Sequence, residues 1–144
     1  MSPKDLSNEI SSESYIVNDS DVVKIGNFII FDISFYPKDG ASISGDVWNA
    51  ISFGNIVPKI NGSSLGMGRV GSNCFPIEFD FYTDGRTHLY APSGVVYIRV
   101  HGMFRVWLSV CCMILLIYLF NKLDNETVFP ANWKYISSKS VLPM

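Results

Sequence analysis

The chain has 144 residues and a formal net charge of −2. That length suits one domain with enough apolar residues to bury a core unaided by disulfides or metals, and the charge offers no basic surface for nucleic acid. Aromatic residues make up 14 % and charged residues 17 %, with Gly and Pro spread through the middle rather than gathered in a linker, a composition that predicts an all-β domain.

In chain order, residues 1–21 set Lys4 against Asp5, Glu9, Glu13, Asp19 and Asp21 among many serines. This reads as an acidic, solvated lead-in, with a short strand near residues 15–17. Its first ten residues hold no apolar core of the kind a secretory signal needs. The sequons that begin at Asn18, Asn61 and Asn125 are therefore read as chance matches. From 22 to 36 the alternation is strict, with Val23, Ile25, Ile29, Phe31, Ile33 and Phe35 at odd positions. One long strand is predicted, carrying a bulge at Gly26-Asn27. Phe28 and Ile30 lie on its other face, so a second cover is needed, either the later apolar run or a neighbouring subunit. Pro37-Lys38-Asp39-Gly40 is a turn by its chemistry. A strand over 47–53 follows, and the Gly-rich interval 54–71 predicts one or two irregular strands crossing between sheets.

Residues 75–89, FPIEFDFYTDGRTHL, carry the firmest local signal. Phe75, Ile77, Phe79 and Phe81 alternate with Glu78, Asp80 and Tyr82, and Thr83-Asp84-Gly85 signals a turn. A three-residue loop with Gly85 left-handed pairs Tyr82 with Arg86, Asp80 with His88 and Phe79 with Leu89, gathering the apolar side chains on one face. A two-residue loop would invert the returning strand. Ala91-Pro92-Ser93-Gly94 is read as a further turn, and 95–104 as the last clear strand. Phe31, Ile33, Phe79, Phe81, Ile98 and Val100 are predicted to share one core. The spacing of these strands and their Gly/Pro punctuation indicate an antiparallel β-sandwich or barrel.

After Arg105 the period-2 pattern stops, and residues 106–120 form a fifteen-residue run without charge. As a helix it would be about 22 Å long, short of the roughly 30 Å bilayer core. Trp107, Tyr118, Arg105 and Lys122 resemble interfacial anchors all the same. The expected organisation is a lead-in at 1–21, a β-sandwich at 22–105, and an apolar segment and tail at 106–144, in which Trp133 and Tyr135 suggest docking.

Gly66-Met67-Gly68-Arg69-Val70-Gly71 matches G-x-G-x-x-G, but turn formers precede it and strand-forming residues follow, so it is read as a loop rather than a dinucleotide cradle. Cys74, Cys111 and Cys112 have no metal-ligand spacing and are read as reduced packing residues. His88 and His101 occupy outward strand positions, Asp80 opposite His88, and no nucleophile-base or metal set is recognisable. The reading is of a protein without catalysis, cofactor or metal. Trp48, Tyr82 and Tyr90, with Asn49, Asp84 and Arg86, could line an aromatic and polar surface suited to a sugar or a protein partner. The alternative for these residues is ordinary half-exposed strand aromatics.

Residues 22–31 (VVKIGNFIIF), Trp48-Asn49-Ala50-Ile51, and Thr83-Asp84-Gly85-Arg86 before the 95–104 strand together resemble the C-terminal β-sandwich head of phage tail-fibre and baseplate receptor-binding proteins. The resemblance covers residues 15–104 and implies a jelly-roll-like head on a virion, a homotrimer, and a host-surface glycan or protein as ligand. It transfers no individual binding residue, because such sites vary among heads. Heads of that family end within a few residues of the position of Phe104, so 106–144 is read as a readthrough or frameshift product, or as an assembly or membrane element. The rival reading is a small single-pass membrane protein with a β ectodomain and a span at 106–120.

Overall fold

The computed structural model describes residues 2–107 and 110–125. The chain divides after Trp107 into two units. The first holds β1 (Lys4–Asp5), β2 (Tyr15–Ile25), β3 (Phe28–Pro37), β4 (Ile43–Trp48), β5 (Gly62–Val70), β6 (Asn73–Phe81), β7 (Thr87–Val95) and β8 (Tyr97–Arg105). These strands hydrogen-bond in one antiparallel sheet of order β1-β2-β3-β8-β5-β6-β7-β4.

The sheet is folded over on itself. β3 and β6 are separated by β8 and β5, which in a flat sheet would hold them about 14 Å apart. The rings of Phe31 on β3 and Phe79 on β6 instead have centroids 6.0 Å apart. The architecture is therefore sandwich-like and all-β, as the composition predicts.

The crease lies at β5, whose inward positions are Gly62, Ser64, Gly66 and Gly68, opposite Phe81, Phe79, Ile77 and Phe75. With almost no side chain of its own there, β5 lets neighbouring strands close over it. A Cβ on Gly66 would stand 2.5 Å from the Arg99 carbonyl oxygen, and one on Gly68 would stand 2.6 Å from Ile77 Cδ1. The G-x-G-x-x-G segment is thus part of a central strand and its closing turn, not the loop the sequence suggested, and the interval 54–71 holds one strand, β5, regularly paired with β6 and β8 rather than irregular.

Three further expectations are corrected. Gly26-Asn27 is a two-residue hairpin turn rather than a bulge, because Ile25 pairs with Phe28 and splits the expected long strand into β2 and β3. Gly26 sits at φ 63 in the first central position, where a type II′ turn favours glycine. The Pro92-Ser93-Gly94 signal produces a bulge within β7: Ile43 pairs with Val95 and Gly45 with Ala91, so the longer side is accommodated without a reversal. The strand predicted at 47–53 runs instead from Ile43 to Trp48, and Asn49, at φ 54, turns Ala50, Ile51 and Phe53 into the core.

The acidic lead-in is paired into the domain, while its charged side chains stay exposed. β1 lies on the outer edge of β2, Leu6 and Ile10 pack against the core, and Ser11 bridges to Ser52. Phe31, Ile33, Phe79, Phe81, Ile98 and Val100 are all buried in one cluster, as predicted, and Phe53 and Phe104 complete its aromatic centre. Cys74 is exposed rather than packed, since it falls on the outward side of β6.

The apolar run does not form one element. Val106 is buried in the β unit, where its N–H donates to the Asn27 carbonyl at 2.8 Å. Helix α1 (Val110–Asn125) makes up the described part of the second unit, and its residues from Ile114 to Phe120 are exposed. No helix among the described residues is long and apolar enough to cross a membrane. The docking suggested for Trp133 and Tyr135 lies outside the described residues.

Candidate functional site

The hairpin between β6 and β7 has the predicted three-residue loop and register. Phe79 pairs with Leu89 and Asp80 with His88, the Tyr82 N–H donates to the Arg86 carbonyl at 3.0 Å, and Gly85 sits at φ 88. Asp84 stiffens the loop by accepting the Arg86 backbone N–H at 3.0 Å and its Nε at 2.7 Å. Those bonds hold the Asp84 carboxyl below the usual carboxylate range. Asn61 anchors the far side, its Oδ1 accepting the Thr83 N–H at 2.8 Å.

β4 delivers Trp48 to this loop. Trp48 pairs in register with His88, and directly after it Asn49 exchanges bonds with Thr87: its N–H donates to the Thr87 carbonyl at 2.8 Å, and its Oδ1 accepts the Thr87 N–H at 3.1 Å. The buried Thr87 hydroxyl donates to the Ile51 carbonyl at 2.9 Å, fixing the same corner from inside. Asparagine tolerates the left-handed backbone this corner needs.

The result is a compact outward-facing stack. The Trp48 ring lies 5.8 Å from the Tyr82 ring and 4.4 Å from the His88 ring, and the Arg86 guanidinium lies 5.0 Å from Trp48 and 5.6 Å from Tyr82. Trp48 remains 49 % exposed, so part of its apolar surface is open to a ligand. Of the six residues proposed from sequence, Trp48, Tyr82, Asp84 and Arg86 come together. Asn49 adjoins them as the residue that sets the corner. Tyr90 projects from the same face of β7 opposite Asp46 and has no ring partner among the described residues.

Sequence reasoning expected the His88–Asp80 pair but missed Asp46. His88 Nδ1 lies 3.1 Å from Asp80 Oδ2, and Nε2 lies 3.0 Å from Asp46 Oδ1. Burial lowers the affinity of His88 for a proton, but the hydrogen bonds and charges of Asp80 and Asp46 together outweigh it, and its pKa is raised. The available signal was that Asp46 and Trp48 are two apart on a strand and so share a face, but nothing local pairs β4 with β7. On the same sheet, away from this stack, Asp32 accepts Arg99 Nε at 2.8 Å and Nη2 at 2.6 Å, and that fork holds its carboxyl below the usual range. Among the described residues no three His, Cys, Asp or Glu side chains converge as metal ligands.

No protein-family model matches this chain, and no curated protein matches it.

Proposed function

We propose that this chain is a non-catalytic recognition module, of the kind phage particles use to attach to a host, and that the Trp48–Tyr82–Arg86 face takes a host-surface saccharide. One observation carries the reading: a half-open indole is held in a fixed stack by a hairpin, a left-handed corner and a carboxylate-pinned arginine. A pre-ordered aromatic surface loses little conformational entropy when a ligand settles on it, which favours contact with the apolar face of a sugar ring. The carboxylates of Asp46 and Asp84 at its rim supply acceptors for sugar hydroxyls. The resemblance of residues 15–104 to tail-fibre heads supports a place on a virion. The exposed apolar side chains of Phe28, Ile30 and Met103 on the outer face of β3 and β8 support an assembly of several copies, a trimer by that resemblance.

A glycan array probed with the wild-type chain, Trp48→Ala and Arg86→Ala tests the proposal. The wild type should retain a small set of saccharides, and Trp48→Ala should bind them about thirtyfold more weakly, the effect expected of a central aromatic anchor. Equal retention by folded Trp48→Ala would move the site elsewhere. The exposed apolar residues of α1 favour a second reading, a membrane-associated β domain. A monodisperse particle purified without detergent would count against that one.

A further inference from the structure

We infer that His88 is a proton-operated clamp that holds edge strand β4, and with it the Trp48 platform, against β6. The argument rests on proton counting at a fixed geometry. β7 places His88 between β6 on one side and β4 on the other, and both ring nitrogens lie within hydrogen-bonding distance of a carboxylate, Asp80 on β6 and Asp46 on β4. An imidazolium has two N–H donors and satisfies both. A neutral imidazole has one N–H and one lone pair, so one carboxylate then faces a lone pair at about 3 Å and is repelled.

The carboxylate released is that of Asp46. Its side chain is 70 % exposed and can turn into water, whereas Asp80 is 26 % exposed and sits on a strand paired along both sides. β4 is the sheet's terminal strand, bonded among the described residues to β7 alone, and the β7 bulge opposite Ser44 already shifts the register of that pairing between Ile43 and Gly45. Trp48 closes β4 with its ring 4.4 Å from His88, a position that favours a cationic ring over a neutral one. The other charged or titratable groups on this face are Glu78, two residues before Asp80 on β6, Tyr82 just after β6, and Arg86 and Tyr90 on either side of His88. Arg86 is already engaged with Asp84, which leaves His88 as the group that changes the charge between β4 and β6 near neutral pH. Loss of the proton therefore frees Asp46 and loosens the indole. Resting on the saccharide reading, this makes the site tighter in acid and weaker in mild alkali.

The chain has two histidines, so proton NMR of the imidazole Cε1–H signals across pH resolves two titrations, and His88→Gln assigns them. The fluorescence of Trp48, isolated by Trp107→Phe and Trp133→Phe, reports the platform. The His88 midpoint should lie above the ordinary 6.5, Asp46→Asn should lower it, and the Trp48 signal should change with the same midpoint. A His88 midpoint at or below 6.5, a midpoint indifferent to Asp46→Asn, or a Trp48 signal flat across the titration would each overturn the clamp. Neither readout needs a saccharide, so a glycan array without binders would remove the ligand reading and leave these results to decide the clamp.

Discussion

Asn49 and His88 show how much of this surface depends on single side chains. Asn49 occupies a left-handed corner and bonds Thr87 through both its backbone N–H and its side-chain oxygen, so Asn49→Ala loses a part-buried hydrogen bond and adds backbone strain. Roughly 1–3 kcal/mol of destabilisation is expected, read from urea unfolding. His88 contributes through its proton. Its pKa in the folded chain is raised, so the stabilisation is fully present below the unfolded value and is lost as pH rises through the folded one. Melting temperatures should therefore fall as pH climbs above 6.5, and His88→Gln should flatten that slope. A wild-type profile that rose over this interval would contradict the assignment. Inside the sheet, Phe79 is fully buried against Phe31 and Phe53, and Phe79→Ala should cost roughly 3–5 kcal/mol.

Among the elements, β5 has the least conventional sequence. Glycine weakens an isolated strand, yet here it permits the close approach that folds one sheet into two facing layers. Gly66→Ala sets a Cβ against a backbone carbonyl that cannot swing away, and should destabilise by roughly 1–3 kcal/mol in chemical unfolding. The exposed Gly40, at φ 67 with nothing near its missing Cβ, would show backbone strain alone on the same substitution. This contrast also explains what the sequence disclosed. The β6–β7 hairpin was legible to the residue because alternation, charge and turn chemistry agree within fifteen positions. β5 was not, since glycines that serve a distant strand look like loop glycines when read locally. Gly26-Asn27 broke the alternation, but apolar residues resume at the same odd positions beyond it and so suggested a bulge, whereas on β2 it is Val22 and not Ile25 that is buried. At the candidate site, the loop residues and Trp48 could be nominated from their chemistry. Asp46 could not, because the pairing of β4 with β7 joins segments about forty residues apart.

For the whole molecule, the core residues lie between Val22 and Val106, and the unit that contains them ends at Trp107. A chain truncated to residues 1–107 should therefore melt cooperatively and within a few degrees of the full chain by circular dichroism. With Ile30 and Met103 opposed across β3 and β8 and both exposed, that fragment should also sediment as a soluble oligomer. A monomer would remove the assembly proposal, and aggregation would make residues 108–144 necessary for solubility. The central claim, that the Trp48 face is the recognition surface, is reached most directly by titrating a saccharide retained on the array into ¹⁵N-labelled protein. The indole N–H signal of Trp48 and the Nε–H signal of Arg86 should shift together and saturate while that of Trp107 stays in place. Saturable shifts confined to residues around Phe28 and Met103, with Trp48 unmoved, would contradict it.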